Sequence, residues 1–218
     1  MLRIVPPKIY YSLEYGEGLN SLRRVLESLS LYHEDITFFN TIGFIGAIIL
    51  LYLNEEDTFW MINYLLDSTM IRKWIVQDSK FLKKTMYIFQ RLIEIHLPTI
   101  FQNMAINGVE PGYYAIPWFI TLFCSKTNMD ISVKIIDLLF IDGYTTIFKV
   151  GLAVINMKYD DVIDAGFEKI LMELNSHLGD LDKNELFGIY STIDVTHKDI
   201  EKISEEFHRY PKRGYITM

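Results

Sequence analysis

Where the prolines fall constrains this chain more than any other feature. There are six in 218 residues. Pro6 and Pro7 stand at the beginning, Pro211 near the end, and Pro98, Pro111 and Pro117 cluster in the middle. Proline breaks helix interiors and is confined to the edges of sheets, so the proline-free stretches between are where regular structure can form. Along them apolar residues recur every three or four positions, not every two. Leu82, Met86, Phe89, Ile93 and Leu97 mark one face, widened by Phe81, Ile88, Leu92 and Ile95. Lys83, Lys84, Gln90, Arg91 and Glu94 take the other side. This spacing predicts an amphipathic helix that stops before Pro98.

The same reading applies elsewhere. From Leu19 to Tyr32, residues Leu22, Val25, Leu26 and Leu29 point inward. Asn54 followed by Glu55, Glu56 and Asp57 predicts a capped start with negative charge in the first turn, leading Phe59, Trp60, Ile62, Leu65 and Leu66. Asp160 opens a further helix with Ile163, Phe167, Ile170, Leu171, Leu174 and Leu178 on one face. Thr196 and Asp199 form a T-x-x-D start ahead of Ile200, Ile203 and Phe207, a relative of the capping box. Asn107-Gly108 and Asp142-Gly143 both follow helical patterns, where glycine ends helices. The expected fold is all-α, with two packed helical lobes and the proline-containing middle as their seam. No fixed-period repeat or low-complexity segment interrupts it.

Composition excludes several functions. The net charge is −7, with 28 acids against 21 bases, which argues against a nucleic-acid groove. One cysteine, Cys124, cannot form an internal disulfide or a cysteine-rich zinc site. It lies in the apolar string AIPWFITLFC and reads as a buried, inert thiol in a reducing compartment. His33, His96, His177, His197 and His208 lack ligand spacing and read as surface or helix-end residues, so no metal is expected. The opening residues MLRIVPPK lack a leader's apolar run. Ile42 to Leu53 is wholly apolar, but a spanning helix needs about 20 such residues, so a buried core helix is expected there rather than a transmembrane segment. There is no P-loop, dinucleotide glycine pattern, H-E-x-x-H or nucleophile elbow.

Three passages carry more information. They are GVEPGYYAIPWFITLFC (108–124), VKIIDLLFIDGYTTIFKVGLAVI (133–155), and FFNTIGFIGAIILLYLNEEDTFW (38–60) with its distant partner Arg3 to Pro6. Together they resemble the TBC domain, the helical module that activates Rab-family GTPases. The Tyr-Ala-x-x-Trp-Phe-x-Thr-Leu-Phe string is complete in Tyr114, Ala115, Trp118, Phe119, Thr121, Leu122 and Phe123. Asp137 and Gly143 match the family's later helix. The resemblance runs from Arg3 to about Tyr210. It implies a TBC domain over 1–210 without its usual first helix, then a short tail at 211–218.

The resemblance also implies roles. TBC domains supply an arginine and a glutamine in trans to a bound GTPase. The arginine neutralises charge on the transferred phosphoryl group, and the glutamine orients the attacking water. Arg3 aligns with the arginine. Pro6 matches its context, while Ile4 replaces a threonine. The glutamine position falls on Asn40, flanked by Phe38 and Thr41 where the family has tyrosine and glycine. Phe38 and Thr41 would then lie at the GTPase contact. Read without the resemblance, Arg3 is a solvated terminal arginine and Asn40 a buried amide or cap.

Tyr114, Trp118 and Phe119 read as core packing. Asp137, inside an apolar helix, reads as a buried hydrogen-bonded carboxylate joining two helices. Glu55 to Asp57 is most simply a helix start. The implied activity is GTPase activation in vesicle trafficking; the alternative is a catalytically weakened Rab-binding or scaffold module. The implied partner is a Rab-family GTPase, with no nucleic acid. No cofactor belongs to the chain itself, since GTP and magnesium come with the GTPase. A cytoplasmic location is expected, with endomembranes reached through the GTPase.

Overall fold

The computed structural model describes residues 16–34, 36, 39–76 and 78–209. Arg3, Phe38 and the 211–218 tail therefore lie outside the described residues. Among the described residues the fold is all-helical, thirteen α-helices and one 3₁₀ turn with no strand. The first group is α1 (Glu17–Tyr32), α2 (Phe39–Ile49), α3 (Glu55–Asp67) and α4 (Thr69–Ile75). Next come α5 (Ser79–His96), α6 (Pro98–Ile106), the 3₁₀ turn Pro111–Tyr113 and α7 (Ile116–Ile120). The remainder are α8 (Met129–Asp142), α9 (Thr145–Met157), α10 (Tyr159–Val162), α11 (Phe167–Asn175), α12 (Lys183–Thr192) and α13 (His197–Arg209).

The caps follow the sequence signals. Asn54 accepts the Asp57 N–H at 2.9 Å. Asp78 accepts the Lys80 and Phe81 N–H groups at 3.0 and 3.1 Å, and Asn128 that of Ile131 at 3.0 Å. Thr196 and Asp199 make a reciprocal box: the Asp199 carboxylate accepts the Thr196 N–H at 2.9 Å, and the Thr196 hydroxyl accepts the Asp199 N–H at 3.3 Å. Gly108 and Gly143 end helices with φ of 67° and 70°, which side chains other than glycine rarely adopt. Pro98 does more than end α5: it is the first residue of α6, where its missing N–H costs nothing.

One lobe packs α1 against α2 and α3, and α2 continues the contact onto α8. The other is built around α9, which meets α5, α7, α8, α10 and α12 and buries ten of its residues. At the centre Trp74, Phe89, Trp118, Phe119 and Phe148 are fully buried. Their rings meet mostly edge to face, as at 5.2 Å for Trp74 with Phe119 and 5.0 Å for Phe119 with Phe148. The Trp74 Nε1–H donates to Thr85 Oγ1 at 2.9 Å, so this indole is satisfied within the core.

Three sequence expectations change. The helix expected from Asp160 through Leu178 is two helices, α10 and α11, broken at Ala165 and Gly166. The freed carbonyls of Val162 and Ala165 accept from the Asn103 amide of α6 at 2.7 and 3.0 Å. Phe167, placed inward by the pattern, is 43% exposed. Trp60 is likewise on the surface, 54% exposed. The apolar run beginning at Ile42 is helical only to Ile49, then turns through Leu50–Leu53 to the Asn54 cap. No helix among the described residues is long and apolar enough to cross a membrane.

The Thr-Leu-Phe part of the long motif has a backbone that pattern reading does not show. Leu122 and Phe123 have φ of 50° and 65°, left-handed values that strain residues with side chains. The Phe123 N–H closes onto the Trp118 carbonyl at 2.8 Å, a Schellman-like end to α7. Both side chains are fully buried, and that burial offsets the strain. Cys124, 8% exposed, follows directly; burial pushes its thiol pKa up to about 12, as expected of an inert cysteine.

Candidate functional site

The head of α2 is the place where the sequence puts its amide. Asn40 is the second residue of this helix, and its side chain lies outside the described residues. First-turn N–H groups of a helix have no partner within it, so this end offers backbone donors beside residue 40. Ile42, Ile45, Ile48 and Ile49 bury the helix against its neighbours and fix its axis. Thr41 is 5% exposed, so in this conformation its side chain packs inside rather than presenting a surface.

A polar relay secures the end of α1. Asn63 on α3 donates its amide N–H to the Phe59 carbonyl at 2.7 Å, leaving its Oδ1 as an acceptor. That oxygen lies 2.6 Å from His33 Nε2, so the imidazole carries its proton there. His33 Nδ1 then faces the Arg72 guanidinium of α4, 3.4 Å from both terminal nitrogens. His33 also caps α1 through its N–H to the Leu29 carbonyl at 2.9 Å, and Ile36 is anchored three residues on, 3% exposed. The end of α1 is thus tied to α3 and α4. Sequence reading missed this relay, because His33 stands thirty residues or more from Asn63 and Arg72 with no motif spacing.

The neighbouring surface is aromatic and acidic. Tyr32, Phe59 and Trp60 meet edge to face, with centroids 5.6 Å apart for Tyr32 with Phe59 and 5.1 Å for Phe59 with Trp60. Glu55 is held by both arms of Arg24, Nε to Oε2 at 2.8 Å and Nη2 to Oε1 at 2.5 Å. Those hydrogen bonds lower its pKa to about 2.

Other residues singled out by sequence do not join this site. Tyr114, Trp118 and Phe119 are fully buried core residues, as their spacing implied. Burial alone raises the Tyr114 pKa above its ordinary value. The reading of Asp137 is overturned: it is an exposed residue of α8 in the wall of an apolar groove, with no helix-joining hydrogen bond among the described residues. Asp142 takes that part, accepting the Tyr190 hydroxyl of α12 at 2.7 Å. The helical phase explains the exchange, since Ile131, Ile135, Ile136 and Leu139 occupy the buried stripe of α8 and Asp137 falls on the opposite face. Among the described residues no three His, Cys, Asp or Glu side chains are placed to hold a metal ion.

Comparison with known proteins adds three findings. The family model described as the Rab-GTPase-TBC domain matches residues 1–163. Mouse TBC1 domain family member 4 is 29% identical over 215 residues, which is 98% of this chain and 16% of that protein. Bovine TBC1 domain family member 1 is 27% identical, covering 94% of this chain and 18% of that protein. The chain therefore spans less than a fifth of the length of these relatives. Among solved structures, the Chlamydomonas flagellar RabGAP TBC domain superposes with a TM-score of 0.70 at 22% identity, over 84% of this chain and 62% of that one. That likeness establishes a shared fold.

Proposed function

The chain belongs to the Rab-GTPase-TBC domain family, and on that premise we propose that it accelerates GTP hydrolysis by a Rab-family GTPase in membrane traffic. The observation that carries this reading is the position of Asn40 at the head of α2, a helix buried through Ile42, Ile45, Ile48 and Ile49. A water-orienting amide must be held still, and a side chain at the start of a buried helix is better held than one on a free loop.

In this reading Arg3 reaches the GTPase-bound nucleotide and neutralises charge on the transferred phosphoryl group. Arginine suits the task because its planar fork donates several hydrogen bonds and never deprotonates. Such a finger is worth about 10³ to 10⁵ in rate. Asn40 holds the attacking water, with Phe38 beside it at the GTPase surface. The nucleotide and its magnesium ion arrive with the GTPase, and the chain reaches endomembranes through that partner.

A second reading is favoured by Asn40 itself. Asparagine is one methylene shorter than glutamine, which withdraws the amide by about 1.5 Å. A displacement near 1 Å can cost about a hundredfold in rate. The domain would then bind its GTPase with little catalysis.

Phosphate release from GTP-loaded Rab proteins separates the two. Acceleration by wild type that Arg3→Ala abolishes supports the activator. A silent wild type with active Asn40→Gln supports the weakened domain. Silence of all three proteins on every Rab that binds overturns the catalytic role of both residues.

A further inference from the structure

Two depressions adjoin between α3 and α8, the first of them reaching the end of α2 remote from Asn40. The first, about 330 Å³, is apolar and lined by Ile49, Tyr52, Met61, Val133 and Phe140, with Asp137 in its wall. The second, about 460 Å³, is lined by Tyr64, Asp67, Phe140, Asp142, Tyr144 and His197 among others. Phe140 lines both, so they form one continuous surface. Asn40 and Ile48, which lines the first depression, are eight residues apart along α2, roughly 12 Å, so the apolar half lies away from the amide position.

The second depression is short of positive charge in an unusual way. Asp67 is the last residue of α3, and Asp142 the last residue of α8. A helix C-terminus carries a negative partial charge and favours lysine, arginine or protonated histidine. Neither helix has a basic residue in its last turn, and neither depression is lined by lysine or arginine. Two carboxylates and two negative helix ends therefore converge on one pocket. Asp142 uses Oδ2 to accept from Tyr190, and among the described residues its Oδ1 has no partner. Asp67 is exposed, without an ion pair among the described residues.

The walls suit the charge that is missing. Tyr64 and Phe140 lie 5.7 Å apart at 34°, and Tyr144 meets His197 edge-on at 4.6 Å. Aromatic faces attract cations through the ring quadrupole. The protein already uses this contact nearby, where Lys149 Nζ sits 4.1 Å from the centre of the Tyr190 ring. A small free cation would occupy only the acidic half. The apolar half, with Tyr52 62% exposed at its edge, fits a ligand bearing a hydrocarbon group beside its charge.

We propose that this surface docks a partner polypeptide that places an arginine or lysine between Asp67 and Asp142 and an adjacent apolar side chain in the groove beyond Phe140. NMR titration of the protein tests it with three capped peptides: acetyl-Leu-Ala-Ala-Arg-amide, its citrulline analogue, and its serine-for-leucine analogue. The arginine peptide is expected to give saturable shifts at Tyr64, Phe140 and Ile141. The citrulline peptide, of the same shape without charge, should bind at least tenfold more weakly. The serine peptide should lose the shifts at Met61 and Val133. Asp67→Asn, an exposed change, should weaken arginine binding severalfold, and adding Asp142→Asn, which keeps an acceptor for Tyr190, should remove the preference over citrulline. Equal binding of arginine and citrulline peptides, shifts centred elsewhere, or no saturation at millimolar peptide overturns the proposal.

Discussion

Gly151 on α9 lies against the Cζ–Cε2 edge of the Phe89 ring on α5. A Cβ built at residue 151 would stand 2.7 Å from Phe89 Cζ and 2.8 Å from Cε2, closer than such atoms approach. The ring has little freedom to retreat. It is fully buried and meets Trp118, Phe119 and Phe148 at centroid distances of 6.3, 5.3 and 6.4 Å. The small residue thus sets how closely the central helix approaches its neighbour.

Gly151→Ala is therefore expected to destabilise the domain. Overpacking costs about 1–3 kcal/mol. The gain in helix propensity returns about 1 kcal/mol at most. The net loss should reach about 2 kcal/mol, with a fall of roughly 2–4 °C in Tm per kcal/mol for a chain of this size. Thermal melts of Gly151→Ala, Phe89→Leu and the double variant check the cause. In the Phe89→Leu background the alanine should become neutral or stabilising, because the smaller side chain leaves room. Equal losses in both backgrounds would rule out the ring contact as the cause.

Arg24 and Glu55 make a pH-dependent link between α1 and the first turn of α3. The Glu55 pKa in the folded state is lowered to about 2 from 4.5, chiefly by its hydrogen bonds to Arg24. A lowered carboxylate pKa gives stability that is present above the unfolded value and lost as pH falls through the folded one. The window is therefore from about pH 4.5 down to about 2. Both side chains are substantially exposed, 54% and 39%, so screening by water limits the pair to about 0.2–1 kcal/mol. Urea unfolding of wild type and Arg24→Ala at pH 7 should differ by that amount, and the difference should shrink across the window. A difference independent of pH would assign the effect of Arg24 to packing.

The elements legible in the sequence are those whose signals are local. Leu22, Val25, Leu26 and Leu29 of α1, with Leu82, Met86, Phe89 and Ile93 of α5, are all buried as the spacing implies, while Ile95, expected on the same α5 face, is 57% exposed. Caps at Asn54 and Thr196 need only neighbours three residues on. What periodicity could not give depends on distant chain. The left-handed pair Leu122 and Phe123 is tolerated because a core assembled from other helices receives both side chains. The exposure of Asp137 follows from which stripe of α8 the rest of the fold covers, and an apolar helix leaves that choice open. At the candidate site the sequence places Asn40 by resemblance. It gives no sign of the His33, Asn63 and Arg72 relay, whose members come together only when α1, α3 and α4 pack.

The break between α10 and α11 is the clearest case of a helix overruled by a partner, and it can be tested directly. The pattern from Asp160 onward would allow one continuous helix. Instead the carbonyls of Val162 and Ala165 turn to α6. Asn103 donates to both at 2.7 and 3.0 Å, and Asn107 adds a longer bond to Ala165 at 3.3 Å while also donating to the Asn103 Oδ1 at 3.0 Å. Val162 and Ala165 are buried, so water cannot readily replace these donors. Leaving such acceptors unpaired costs about 1–3 kcal/mol. Asn103→Ala should lose stability on that scale, and Asn107→Ala less, because the bond to Ala165 that it removes is the longest of the three. Hydrogen exchange gives the positional check. In Asn103→Ala the amides of Ile170 to Leu174 should lose protection before those of α5, since α11 is docked through the segment that Asn103 holds. If exchange instead rises uniformly, the amide is a general core contact and another interaction fixes the break.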